Sequence, residues 1–323
     1  MAHAALYRYR ITLDSPLPVG RQWLNERQGL ILALGRSTTP AGFGEAAPLP
    51  GFSAETLAEA TAAALAALPR WLAGLPLPEL PPSVDFALQS AVASLDRPLA
   101  APLPTGSAPL LAGSAEAILA RWRQWQGPRP AAIKLKVARQ PPATEQHWLA
   151  TLLAIAPVRL RLDANRGWRL EEALAFAAAL APEVAAAIDY IEEPLTDPEL
   201  LPRWHACCHL PYALDESLAQ ALPAVRPAGL AALVAKPTQL GGDDRIARLA
   251  AQAAAWRVPL ILSSCFESSL GLRHIARLAA RYTPHQAPAV DTWQAFSCDL
   301  LTPLATPRHA LALADLDCLW SSL

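Results

Sequence analysis

No apolar run in the 323-residue chain reaches the roughly 18 residues that a membrane-spanning helix needs, because Pro, Arg or Glu interrupts each one first. Charge of one sign is missing too: 27 Lys and Arg stand against 28 Asp and Glu. That balance gives no electrostatic reason to expect nucleic acid or an anionic membrane as partner. The five cysteines (Cys207, Cys208, Cys265, Cys298, Cys318) are odd in number and scattered, so they form no disulfide framework. The opening Met1-Ala2-His3-Ala4 lacks a basic segment followed by an apolar core and reads as no secretory signal. A reduced, cytoplasmic chain is the expectation. No Gly-rich fingerprint surrounds Gly241-Gly242, which therefore reads as a turn before a helix rather than a phosphate cradle.

Apolar residues make up 53% of the chain, enough for a large core and too many for disorder. Residues 6–13 and 29–35 read as strands, separated by a polar loop over 15–28. The Gly- and Pro-rich stretch from Gly42-Phe43-Gly44-Glu45 to Pro48-Leu49-Pro50-Gly51-Phe52-Ser53 reads as turns and loop. Helices are expected over 54–72 and 83–95, the second with Ser83 at its N-cap. Together these make an α+β unit over residues 1–100, to which residues 300–323 return. Beyond a Pro-rich stretch at 97–109, short apolar strands alternate with helices. Eight are expected, at 109–111, 131–137, 158–163, 188–193, 212–215, 232–236, 259–263 and 289–291. That alternation is the pattern of a (β/α) barrel, here over residues 101–299.

Five of these strands stay apolar until their carboxyl ends, where charge appears: Lys134-Leu135-Lys136, Arg161-Leu162-Asp163, Glu192-Glu193-Pro194, Asp215-Glu216-Ser217 and Lys236-Pro237-Thr238. From Lys136 to Asp163, Glu192, Asp215 and Lys236 the steps are 27, 29, 23 and 21 residues, each long enough for one strand and its crossover helix. Barrel strands deliver their carboxyl ends to one mouth, where such enzymes react. Three converging carboxylates repel one another unless a cation sits among them, and an all-oxygen set with open positions favours Mg²⁺. Lys134, two positions from Lys136, together with a nearby metal, disfavours a second ammonium and makes Lys136 a usable base. This apparatus suits removal of a proton α to a carboxylate, since a metal on the carboxylate oxygens stabilises the enediolate charge as it develops.

In this order, Lys-x-Lys, Asp163-x-Asn165, Glu-Glu-Pro, Asp-Glu-Ser and Lys-Pro-Thr resemble the muconate-cycloisomerase-like branch of the enolase superfamily. The longer strings Arg161-Leu162-Asp163-Ala164-Asn165-Arg166, Pro48-Leu49-Pro50-Gly51-Phe52-Ser53 and Ser263-Ser264-Cys265-Phe266-Glu267-Ser268-Ser269-Leu270-Gly271 are similar to the enterobacterial type of the o-succinylbenzoate synthase family, over nearly the whole chain. The resemblance implies an α/β fold, a modified (β/α)7β TIM-like barrel with an α+β capping domain. It implies Mg²⁺, with Mn²⁺ as a substitute ion, on Asp163, Glu192 and Asp215. Lys136 would be the base and then the acid; Lys236, on the opposite side, would stabilise the anionic intermediate. Lys134 would orient the substrate carboxylate, and Ser263 and Ala289 would meet a succinyl tail, Ala289 standing where a Gly is expected. Loops near residues 17–27 and 50–53 would cap the mouth. The implied reaction is syn dehydration of 2-succinyl-6-hydroxy-2,4-cyclohexadiene-1-carboxylate to 2-succinylbenzoate in menaquinone biosynthesis, by a monomer acting on a small-molecule carboxylate.

Blander readings stand beside these. A single strand-end acid often only caps the next helix. Glu193 and Glu216 read as supporting groups beside proposed ligands. Arg161 shares a strand face with Asp163, so it serves either the site or a salt bridge. His205 and His209 share a helical face near Cys207 and Cys208, yet no second ligand cluster accompanies them, and they read as ordinary helix residues. Trp122, Trp125 and Trp148 read as packing residues. Three other functions compete: racemisation or epimerisation of N-succinylamino acids or dipeptides by Lys136 and Lys236; a non-catalytic barrel that binds a ligand or partner, against which the intact set of three carboxylates and two lysines argues; and a barrel glycosidase, which leaves both lysines unexplained.

Overall fold

The computed structural model describes residues 2–19, 22–37, 41–97, 99, 108–220, 222–304 and 308–322. Its strands, in chain order, are β1 (His3–Val19), β2 (Gln22–Gly35), β3 (Gly42–Ala46), β4 (Leu110–Leu111), β5 (Ala132–Lys136), β6 (Arg159–Asp163), β7 (Ile188–Glu192), β8 (Tyr212–Leu214), β9 (Leu230–Ala235), β10 (Leu260–Leu262), β11 (Asp299–Leu300), β12 (Ala310–Leu311) and β13 (Asp317–Ser321). Two compact units emerge: residues 1–105, 235–251 and 262–323 form one, and residues 106–234 and 252–261 form the other. The expected boundary at residues 100 and 101 falls outside the described residues.

The first unit is built on a four-stranded antiparallel sheet in the order β13-β1-β2-β3. The chain's last strand, β13, pairs with β1, with Ala5 opposite Ser321 and Arg8 opposite Asp317. One sheet face buries Ala4, Leu6, Leu30, Leu32 and Leu34 in a cluster with Ala60, Ala64, Leu68, Val84 and Ala87 of two helices, Leu57–Leu72 and Pro82–Asp96. Period-2 alternation meets 3.6-residue periodicity at this seam. The Leu57–Leu72 helix begins with a capping box, Thr56 accepting from the Glu59 N–H and Glu59 from the Thr56 N–H.

Three sequence expectations give way here. Within the expected polar loop over 15–28, residues 15–19 and 22–28 continue the β1–β2 ribbon, in which Leu17 opposes Leu24 and Pro18 opposes Trp23. Gly42 and Gly44 belong to strand β3 rather than to a turn. A Cβ at Gly44 would lie 1.8 Å from the Ala87 carbonyl oxygen, and one at Gly42 would lie 2.3 Å from that of Ala91. These glycines serve close strand–helix approach, a tertiary demand that looks like turn chemistry in one dimension. The helix Pro82–Asp96 starts one residue early, with Pro82 in its first turn and no side-chain cap, so Ser83 lies inside it.

The second unit carries a curled parallel sheet in the order β10-β9-β8-β7-β6-β5-β4, as the α/β barrel reading requires. Crossover helices include Ala115–Arg123, Pro142–Ile155, Leu170–Ala179 and Leu201–Cys208. Alternation turns Ile133 and Leu135, both fully buried, to the face opposite Lys134 and Lys136. Trp122 and Trp204 are also fully buried, and Trp148 nearly so, as packing residues; each removes several kcal/mol worth of apolar surface from water, about 25 cal/mol per Å². The eighth expected strand, at 289–291, is reduced to one parallel bridge between Ser263 and Ala289, after which residues Asp291–Ala295 coil into a 3-10 turn. No helix among the described residues is long and apolar enough to cross a membrane.

Candidate active site

Parallel register brings the strand-end charges of the second unit together. Lys136 is opposite Asp163 across β5 and β6, and Asp163 is opposite Glu192 across β6 and β7. Asp215 is the first residue after β8. All three carboxylates are almost completely buried, at 1% exposure for Asp163 and Glu192 and 3% for Asp215. Such burial requires compensating positive charge. Lys134 supplies part of it, its Nζ lying 2.8 Å from Asp163 Oδ2 and 2.8 and 2.9 Å from the two Glu192 carboxylate oxygens. Lys136 Nζ donates to the same Asp163 Oδ2 at 2.7 Å and to Asn165 Oδ1 at 2.6 Å. Burial, reinforced by the Lys134 charge, pushes the Lys136 pKa below its ordinary value, with Asp163 acting the other way.

The donor set fits a divalent cation in kind: three buried carboxylates, all-oxygen, with two ammonium groups beside Asp163 and Glu192. Oxygens of Asp163 and Glu192 face lysine ammonium groups, and no three Asp, Glu, His or Cys side chains among the described residues are gathered tightly enough to ligate a metal as they stand. A cation would take over carboxylate oxygens on which Nζ atoms now donate.

Around this cluster runs a scaffold that strand patterning does not reveal. Glu193, fully buried, accepts at Oε1 from the backbone N–H groups of Asp215 (2.9 Å) and Ser217 (2.8 Å). Its Oε2 accepts from Ser217 Oγ at 3.0 Å and from Arg166 Nε at 3.1 Å. Glu193 thus fixes the start of the segment that carries Asp215. Asn165 donates its backbone N–H to Asp163 Oδ1 at 3.1 Å and its Nδ2 to Glu216 Oε1 at 3.2 Å, tying Lys136 to the Asp-Glu-Ser segment. Asn165, Arg166 and Glu193 all adopt left-handed backbone, with φ of 45°, 56° and 40°. Non-glycine residues hold that conformation only where their surroundings over-determine it, as these side-chain bonds do. The motif Asp-x-Asn pointed to Asn165 without giving it a role. Arg166 and Ser217 likewise stood inside the quoted motifs without a role of their own.

Arg161 takes the ion-pair option: its Nε is 3.4 Å from Asp189 Oδ2, and its guanidinium lies 5.7 Å from the Tyr190 ring centre. His205 and His209 meet edge to face at 6.3 Å, with His205 Nδ1 bonded to the Leu210 carbonyl.

In the first unit, Lys236 follows directly on β9, is 9% exposed, and leads into the short helix Pro237–Leu240. Ser263 follows β10, is 5% exposed, and donates its backbone N–H to the Ala235 carbonyl at 2.8 Å. The backbone N–H of Ala289 donates to the Leu262 carbonyl at 2.8 Å. That amide is therefore committed to the chain, and a tail contact at this position has to use another atom.

Two family models match the chain: the MenC N-terminal domain over residues 1–95 and the enolase C-terminal domain-like family over residues 115–313. The chain is 36% identical to the o-succinylbenzoate synthase of Pasteurella multocida, covering 97% of this chain and 95% of that protein. The chain belongs to the o-succinylbenzoate synthase family. The family's members are hydro-lyases of menaquinone biosynthesis within the enolase superfamily, and this enzyme is classed with them. Identity to the o-succinylbenzoate synthase of Yersinia enterocolitica is also 36%, over 100% of both chains. Among solved structures, the o-succinylbenzoate synthase of Thermosynechococcus elongatus, complexed with Mg in its active site, matches with a TM-score of 0.75 and 27% identity, over 94% of this chain and 96% of that one. The L-Ala-D/L-Glu epimerase of Bacillus subtilis matches in fold, with a TM-score of 0.77 at 21% identity over 99% of each chain.

Proposed function

We propose that this enzyme dehydrates 2-succinyl-6-hydroxy-2,4-cyclohexadiene-1-carboxylate to 2-succinylbenzoate with syn stereochemistry and with Mg²⁺ as cofactor. The observation that carries the reading is the direct register of Lys136, Asp163 and Glu192 on three neighbouring strands, with Lys134 beside them. Full-length likeness to o-succinylbenzoate synthases supports the choice of substrate.

Asp163, Glu192 and Asp215 would hold the metal. When bound, Mg²⁺ supplies a Lewis acid's stabilisation of the negative charge that develops on the substrate carboxylate. Lys136 would remove the proton from the ring carbon that bears the carboxylate. The same ammonium would then return a proton to the hydroxyl on the adjacent carbon as its C–O bond breaks, releasing water and an aromatic ring. Lys134 would orient the carboxylate, Lys236 would stabilise the anion as a cation, and Ser263 would meet the succinyl tail. Asn165 Oδ1 and Asp163 Oδ2 both accept from Lys136 Nζ, and the second acceptor restricts the arc over which that Nζ swings.

The decisive assay follows conversion of the cyclohexadiene carboxylate with and without a chelator. Turnover that disappears on chelation and returns with added Mg²⁺ is expected. Equal rates in both conditions would remove the metal from the reading. The second reading, 1,1-proton transfer on N-succinylamino acids by Lys136 and Lys236, draws on the same residues and on the fold shared with the epimerase. Incubation in deuterated water separates the two, because only the racemase exchanges and inverts the α-centre of an amino acid.

A further inference from the structure

Glu145 stands in the first turn of the helix Pro142–Ile155 and is 1% exposed. A buried carboxylate needs donors, and these come from outside its own helix. Oε1 accepts from the backbone N–H groups of Arg139 at 2.9 Å and Gln140 at 3.2 Å, and Oε2 accepts from that of Ala138 at 3.3 Å. Successive N–H groups turned to one point form an anion-binding concavity, and here the chain's own side chain fills it. Burial raises the Glu145 pKa, while the three hydrogen bonds pull it down. The carboxylate thus loses solvation in order to hold a stretch of backbone that begins two residues after Lys136. The helix start is not what it serves, since the N-cap residue Pro141 and the first helical residue Pro142 lie beyond the clamped amides.

The clamped stretch meets the loop that follows the next strand. Ala138 has a left-handed φ of 63°, which a residue with a Cβ keeps only under constraint. Just before it, Val137 donates its N–H to the Asp163 carbonyl at 3.0 Å. A Cβ on Gly167 would lie 2.7 Å from the Ala138 Cβ and 2.8 Å from the Ala164 carbonyl oxygen, so the two loops approach too closely for a side chain there. Gly167 closes its own loop by donating its N–H to the Ala164 carbonyl at 2.9 Å. Asp163 and Asn165, the two acceptors on Lys136 Nζ, stand on either side of Ala164.

We infer that Glu145 is a positioning residue for Lys136. By holding the three amides beyond β5, it fixes the strand end that carries Lys136. Through Ala138 against Gly167, it also fixes the loop that carries the two acceptors of Lys136 Nζ. The inference rests on the role of Lys136 as base proposed above. It adds that the reach of the base is set from behind by a carboxylate that touches neither Lys136 nor its acceptors. A base displaced by a fraction of an ångström still leaves the substrate bound, so loss of the clamp lowers kcat and leaves KM nearly unchanged.

The test approaches the contact from both sides in the full-length enzyme. Glu145→Gln keeps the shape but sets an NH2 group among N–H donors, and is expected to lower kcat for the cyclohexadiene carboxylate by about 10- to 100-fold with KM within about threefold. A lowered melting temperature with kcat unchanged below it would overturn the inference, because a purely structural residue behaves that way. Amide hydrogen exchange gives a readout that needs no substrate. In Glu145→Gln, exchange is expected to quicken at residues 138–140 and also at 165–167. Acceleration at 138–140 alone would overturn the inference, since the clamp would then not reach the acceptors of Lys136. Gly167→Ala makes the reverse test, and decides the matter should Glu145→Gln fail to fold. Its Cβ pushes on Ala138, so exchange at 138–140 is expected to quicken, and unaltered exchange there would separate the two loops and overturn the inference. If the wild-type chain fails to convert the diene, the reaction assignment falls, and the exchange experiments still decide whether Glu145 couples the two loops.

Discussion

Charge is buried in both units of the molecule, but its partners differ. Lys134, Lys136, Asp163 and Glu192 neutralise one another side chain to side chain. In the other unit, Arg27 ends on carbonyls, and Glu45, fully buried, accepts from the backbone N–H groups of Ser268 and Gly271 as well as from Ser268 Oγ and the Tyr9 hydroxyl. A charge held by another side chain can exchange that partner for a metal or a substrate group while the backbone stays put. A charge held by the backbone cannot, because its partners are fixed by the fold. The first arrangement suits reaction and the second suits rigidity.

The sharpest way to break this contrast is to remove a charge from the reactive cluster. Lys136→Ala is expected to lower kcat for dehydration by about 1,000-fold or more, since one side chain serves two proton transfers. Melting temperature should scarcely change, because Lys134 still bridges Asp163 and Glu192. Comparing turnover with thermal melting of the same preparation checks both halves. Turnover within tenfold of wild type would dismiss Lys136 as the base.

The same contrast explains what could be read in one dimension. Strand-end charges recur once per strand–helix unit, so β5 to β9 and their ionisable residues were legible from spacing. Backbone-held charge leaves no such trace: Arg27 and Glu45 look like any polar residue beside a loop, because their acceptors and donors are set by tertiary approach. Gly42 and Gly44 misled for the same reason, their role being contact with the Ala87 and Ala91 carbonyls. Glu193 was marked as a supporting group by its place next to Glu192, but its grip on Asp215 depends on a left-handed backbone that propensity does not foretell. The ribbon beyond residue 13 was missed because its cross-strand pairs, Leu17 with Leu24 and Pro18 with Trp23, are masked by polar neighbours.

Glu193 sits at the junction of the two modes, holding backbone N–H groups on one oxygen and the side chains of Arg166 and Ser217 on the other. Glu193→Gln keeps its shape but places an amide among donors, or turns it toward the Asp215 N–H. With Asp215 proposed as a metal ligand, this change should weaken Mg²⁺ affinity by about 10- to 100-fold, the usual effect of losing a group that orients a ligand. Titration calorimetry, or the Mg²⁺ dependence of turnover, measures it. An unaltered affinity would detach Glu193 from the metal site and leave it a purely architectural residue.

The smallest effect tests the rigid unit, where His274 is fully buried. Its Nε2 lies 2.7 Å from the Phe43 carbonyl, which can only accept, so the ring proton resides there and Nδ1 is bare, buried and without a hydrogen-bond partner among the described residues. Burial, and after it the Arg277 charge, pull its pKa from 6.5 down to about 3, although the Phe43 carbonyl pulls upward. Above pH 6.5 the imidazole is neutral whether the chain is folded or unfolded, and the stabilisation is complete. As pH falls from 6.5 toward 3, the unfolded chain takes up a proton that the folded chain refuses, so stability is lost with falling pH. His274→Gln can still donate to the Phe43 carbonyl but does not titrate. Between pH 7 and pH 5.5 the wild type should therefore lose about 1 kcal/mol more than the variant in urea unfolding, at 1.36 kcal/mol per unit of pKa difference. Parallel stability curves for the two proteins would mean that this imidazole accepts a proton in place, and that backbone-held groups are no more resistant to a change of charge than the lysines beside Asp163.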